Sequence, residues 1–152
     1  MVTPKLRRRD GTAVDKATIE AFRHGFQGQV LLPGDAGYAS ARRIWNASID
    51  KHPGLIARCS RVVDVVHAVK FARANNLLVA VKSGGHNVAG RALCDDGIVI
   101  DLSAMNGVSV DPEPRTVRVQ ARERCWAMSI AKPICMAWPS RPASSRKRAS
   151  PA

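Results

Sequence analysis

The chain has 152 residues, 45% apolar and 24% charged, which excludes a wholly disordered protein and allows one domain with a modest core. Its 24 Lys and Arg against 12 Asp and Glu give a formal net charge of +12, an excess that first suggests nucleic acid. No run of about 18 apolar residues is present, so no membrane span is expected, and Cys59, Cys94, Cys125 and Cys135 lack CxxC or metal-site spacing, so no metal is expected.

The opening MVTPKLRRRDG is basic, but Asp10 and Gly11 stand where a signal peptide needs apolar residues, so the expected setting is cytoplasmic. Val14, Ala17, Ala21 and Phe22 recur at helical spacing and predict an amphipathic helix from Val14 to Phe26. GQVLLPGDAGY then reads as a short extended piece entering a Pro-Gly turn. A second helical patch covers Ala39 to Trp45, making residues 1–49 an N-terminal helical extension.

His52-Pro53-Gly54 punctuates, and Leu55 to Arg58 reads as a strand. Ser60 is the expected N-cap of a helix from Arg61 to Ala74, with Val62, Val66, Val69 and Ala72 facing a sheet. Asn75-Asn76 can end that helix, because Asn tolerates the left-handed conformation. Leu77 to Val81 is a continuous apolar run, expected to be a strand buried on both faces. Ile98 to Ile100 follows Gly97 as another buried strand, and Val108–Val110 with Thr116–Val119 alternate around Asp-Pro-Glu-Pro as a hairpin.

Between two of these strands lies VKSGGHNVAG, residues 81–90. Gly84 and Gly85 can take positive φ, letting successive N–H groups converge on an anion such as a pyrophosphate. Gly90 would admit a close backbone approach, Ser83 and Asn87 add hydrogen-bonding groups, and Lys82 adds charge. The loop is neither a Walker loop, for no Gly-Lys-Ser/Thr follows, nor the Rossmann GxGxxG. On the residues alone, a plain connecting turn and an anion cradle both stand. Asp95-Asp96 reads as a turn pair and Asp101 as a local hydrogen-bonding partner, so no catalytic acid or base is assigned.

The ordered set of strand, SGGHNVAG, an acidic-glycine turn, IVIDLS and the hairpin, over about residues 53–119, resembles the opening of the flavin domain of FAD-linked oxidases. These are the berberine-bridge-enzyme-like members of the vanillyl-alcohol oxidase / p-cresol methylhydroxylase (PCMH) family. The resemblance implies an α+β fold, the first part of a PCMH-type FAD-binding domain: a small mixed sheet with flanking helices over residues 50–120. It implies that Ser83, Gly84, Gly85, His86 and Asn87 wrap the FAD pyrophosphate and that Val88, Ala89 and Gly90 continue the wall. His86 holds the position that bonds covalently to the 8α-methyl of the flavin, a role a neutral imidazole nitrogen can fill. Lys82 stands where Arg is common, which keeps charge but not a planar fork. Cys94 is not expected to be a second flavin link. Complete relatives oxidise small alcohol- or sugar-like substrates by hydride transfer to flavin. This chain, read as their amino-terminal portion without a substrate domain, is expected to show little turnover.

Composition breaks at Gln120. Residues 121–152 hold seven Lys/Arg and one Glu, with two Trp, two Cys and four Pro. Two readings compete. A one-base slip in reading frame explains both the break and the end of the resemblance, since a shifted reading of Ala127 to Ala152 permits a TGIAG turn like the family's next segment. Alternatively, SRPASSRKRASPA is a selected basic arm for nucleic acid or an acidic partner. The slip is preferred, nucleic acid is not the expected partner, and either reading makes 121–152 an irregular, disordered basic tail.

Overall fold

The computed structural model describes residues 6–113 and 115–120. The expectations for the basic tail, 121–152, lie outside them. In chain order the elements are helix α1 (Lys16–Gly25), strand β1 (Gln29–Leu31), helix α2 (Tyr38–Ala41), β2 (Leu55–Arg58), α3 (Val62–Ala74), β3 (Val79–Lys82), β4 (Ile98–Asp101), β5 (Val108–Asp111) and β6 (Thr116–Val119).

Four strands form one mixed sheet in the order β1-β2-β4-β3. β1 runs antiparallel to β2, while β2 and β3 both run parallel to β4. β5 and β6 make a separate antiparallel hairpin, as expected from their alternation. Thus β2, α3 and β3 form a crossover that leaves room for β4 between its two strands.

The central strand β4 is buried at all four positions, which is why it reads as an uninterrupted Ile-Val-Ile run. Its pleat divides the core in two. Ile98 and Ile100 join Leu55, Ala57, Ile19, Phe22, Ala68 and Ala72 beneath α1 and α3. Val99 joins Ile56, Ala80, Leu31, Tyr38 and Leu93 beneath α2 and the loop before β4. Residues 6–49 therefore supply both a strand and core side chains to the same sheet.

Several local expectations need correction. The buried face of α1 is Ile19 and Phe22, whereas Ala17 and Ala21 are exposed and Val14 is buried before the helix begins. α2 is one turn, ending at Ala41 rather than Trp45. α3 turns Asp64, Ala68 and Ala72 inward, leaving Val62, Val66 and Val69 exposed. The small alanines allow close approach to the sheet, and the valines, at the same spacing, fall on the outer side. β3 is an edge strand covered on one face only: Ala80 and Lys82 are buried, while Val79 and Val81 are exposed.

Ser60 does not cap α3 with its side chain. Arg61 occupies the N-cap position, and buried Asp64 reaches back instead. Its Oδ2 accepts from Ser60 N at 2.9 Å, Ser60 Oγ at 2.9 Å and Arg61 N at 3.1 Å, while Oδ1 accepts from Gln27 N at 3.2 Å. Burial raises the Asp64 pKa, but these hydrogen bonds to the ionised form outweigh it and hold the group below the usual carboxylate value. At the other end Asn76 does take positive φ, 49°.

Candidate functional site

The glycine loop leaves the carboxyl end of β3, where open α/β sheets usually receive ligands. There the parallel register places Arg58, Asp101 and Lys82 side by side across β2, β4 and β3. Asp101 is buried; Arg58 Nε lies 3.6 Å from its Oδ2, and its Oδ1 accepts from Ser103 N at 2.9 Å. Lys82, only 8% exposed, donates from Nζ to the Ala41 carbonyl. Burial pushes its pKa down, opposed by the neighbouring Asp101 charge. The Lys82 ammonium thus serves the sheet's inner face, and the structure does not bring it to the loop's rim.

Gly85 and Gly90 are left-handed, at φ 77° and 68°, and Gly84 is not. A Cβ on Gly90 would lie 2.7 Å from Ile49 Cγ2, and one on Gly85 would lie 3.3 Å from Ile44 Cγ2. The close neighbour that Gly90 admits is therefore the segment between α2 and β2. That segment, here called the strap (residues 44–51), holds the loop throughout. Trp45 N donates to Gly85 O at 3.1 Å and Asn46 Nδ2 to Val88 O at 2.9 Å. Lys51 Nζ donates to Gly90 O at 3.1 Å and Leu93 O at 3.2 Å. Within the loop, Gly90 N donates to Asn87 O, and Arg91 N to Asn87 Oδ1 at 2.8 Å.

The polarity of this cradle is one-sided. The carbonyls of Gly85, Asn87, Val88 and Gly90 all receive donors. Among the described residues, the amides of Gly84, Gly85, Asn87, Val88 and Ala89 donate to no protein acceptor. A loop fixed by its oxygens and left with its N–H groups in hand suits an anion. His86 is exposed at its centre, its ring stacked on that of Trp45 with centroids 6.1 Å apart and planes inclined by 22°.

The FAD binding domain family matches residues 53–126. Residues 53–126 are the FAD-binding domain of FAD-linked oxidoreductases, matched over part of those proteins' length. The chain is 41% identical over 93 residues to (R)-6-hydroxynicotine oxidase of Paenarthrobacter nicotinovorans, covering 61% of this chain and 20% of that protein. FAD-linked oxidoreductase pgmH of Aspergillus terreus is 33% identical over 130 residues, 84% of this chain and 26% of the relative. The crystal structure of 6-hydroxy-D-nicotine oxidase from Arthrobacter nicotinovorans superposes with a TM-score of 0.59 at 40% identity, over 62% of this chain and 21% of that one. Berberine-bridge-enzyme-like 1 of Physcomitrella patens shares the fold, with a TM-score of 0.69 over 78% of this chain and 26% of its own. The chain thus spans about a fifth of the length of the first curated relatives it matches. FAD is the cofactor of this domain.

Around the FAD binding domain's loop, other sequence candidates have structural duties. Asp95 Oδ1 accepts from His52 N at 2.7 Å, and Asp96, at φ 54°, accepts at its carbonyl from Arg7 N. Cys94 is buried, and burial pushes its thiol up to about 11. The strap was not among the sequence candidates: Ile44 and Trp45 fell at the end of the expected Ala39 to Trp45 helical patch, Asn46 and Ile49 in no expected element, and all four meet the loop across about forty residues of chain. No helix among the described residues is long and apolar enough to cross a membrane.

Proposed function

We propose that the chain contributes the pyrophosphate cradle and the flavin tether of an FAD-dependent oxidoreductase acting on small alcohol- or sugar-like molecules. The observation that carries this reading is the set of loop amides, those of Gly84, Gly85, Asn87, Val88 and Ala89, with no acceptor among the described residues, beside an exposed imidazole. Those amides would bind the diphosphate oxygens, with Ser83 and Asn87 beside them and Val88 to Gly90 closing the wall. Bound flavin supplies a two-electron acceptor for substrate hydride. His86 would hold the flavin through a ring nitrogen, a role for which its neutral imidazole is a competent nucleophile. Lys82 acts indirectly here, keeping the end of β3 against α2. Buried free thiols at Cys59 and Cys94 support a cytoplasmic setting.

The cradle is tested by titrating FAD with the purified chain and following flavin fluorescence, with ADP and riboflavin as competitors. ADP should displace FAD and riboflavin should not, because the recognised element is the diphosphate. Displacement by riboflavin alone, or no FAD binding at any concentration, refutes the cradle. The tether is read separately as acid-resistant flavin fluorescence on the wild-type chain, absent in His86→Ala.

A further inference from the structure

We infer that the strap is a working part of the flavin site and that Trp45 is its positioning residue, setting the orientation of the His86 imidazole before cofactor arrives. This rests on the reading of His86 as the tether. The strap lies upstream of residues 53–126, the stretch matched by the FAD binding domain family, so that match assigns it nothing.

Three observations support the inference. First, three of the strap's polar groups reach the loop: the Trp45 amide, the Asn46 side chain and the Lys51 ammonium each fasten a carbonyl of the stretch Gly85 to Gly90. Second, the two left-handed glycines face the strap's two isoleucines, Ile44 and Ile49, so apolar packing fixes the loop's depth as hydrogen bonds fix its register. Third, Trp45 is 68% exposed and its ring contact is with His86. An indole used for core packing would be buried; this one is held at the surface by the hydrogen bond its backbone N–H donates to the Gly85 carbonyl, with its ring against the imidazole. The separation and inclination are those of an offset aromatic stack. Such a stack narrows the rotamers open to an exposed histidine. A nucleophile that must meet one methyl carbon gains from that restriction, because misplacement by about 1 Å can cost on the order of a hundredfold in rate.

The test compares wild type with Trp45→Phe, Trp45→Ala and His86→Ala. In the cofactor-free chain, the imidazole C–H resonances of His86, identified by their loss in His86→Ala, should be displaced by the indole ring current. They should return toward the position of a free histidine in Trp45→Ala. With FAD added, acid-resistant flavin should accumulate about tenfold or more slowly in Trp45→Ala, by loss of orientation. Non-covalent FAD affinity should stay within about twofold of wild type, since the amides still provide it. Trp45→Phe should fall between, and it serves as the decisive variant if the alanine protein unfolds. Unmoved imidazole resonances, or attachment at the wild-type rate in Trp45→Ala, overturn the role given to Trp45. Wild type that attaches no flavin overturns the tether itself.

Discussion

Gly90→Ala probes the contact on which the loop's shape depends. Two costs arise. Holding an L-residue at φ 68° costs roughly 1–2 kcal/mol. The new Cβ would also stand 2.7 Å from Ile49 Cγ2, 3.0 Å from Cγ1 and 3.1 Å from Cδ1, and such overpacking typically costs about 1–3 kcal/mol. The expected destabilisation is therefore about 3 kcal/mol. Ile49→Ala removes all three of those atoms, so in that background the same substitution should cost only the backbone share, about 1–2 kcal/mol. A double-mutant cycle by urea unfolding, followed by circular dichroism, should thus show a favourable coupling of about 1.5 kcal/mol, well beyond the roughly 0.5 kcal/mol scatter of independent sites. Additive costs would mean that Ile49 does not press on Gly90, and the seating of the loop on the strap would be wrong.

Asp64→Asn should lose about 2 kcal/mol at pH 7, because a single amide oxygen cannot accept all that the carboxylate accepts. Since the Asp64 pKa is lowered on folding, its contribution is present above 3.8 and is lost as pH falls through the lower folded value. The gap between wild type and variant in urea midpoint should therefore close in acid, and a constant gap would contradict the capping role. Cys59 and Cys94, with thiols pushed up to about 12 and about 11 by burial, should stay unmodified by iodoacetamide at pH 8 when their peptides are mapped by mass spectrometry. Val66→Lys and Val69→Lys should each change stability by less than about 0.5 kcal/mol, whereas Ala68→Val should cost about 1–3 kcal/mol, as measured by thermal melts.

The sheet's central elements were legible because each apolar run is bounded by a strong punctuator. Leu55 to Arg58 follows Pro-Gly, Ile98 to Ile100 follows Gly97, and the hairpin flanks Asp-Pro-Glu-Pro. The α3 face was not legible, because VVDVVHAVKFARA is apolar on most sides. Two sets of residues fit the helical period, and the choice falls to the alanines only once the sheet is present. The Leu77–Val81 run misled similarly, since apolar residues on an edge strand look like those of a central one. In the site, Gly85, His86 and Gly90 stood out by residue type, while Trp45, Asn46 and Ile49 acquire meaning only through contacts made across about forty residues of chain.

Because the glycine loop is held from upstream, Pro53 is a poor place to cut. A chimera that grafts residues 53–126 of this protein onto another host would carry the glycines and the histidine but leave behind Ile44, Trp45, Asn46, Ile49 and Lys51. The transplanted turn would then keep its φ preferences and lose the grip on its carbonyls. A cut before Tyr38 keeps those partners together, so exchange of this module between FAD-binding domains should tolerate the earlier junction and reject the later one.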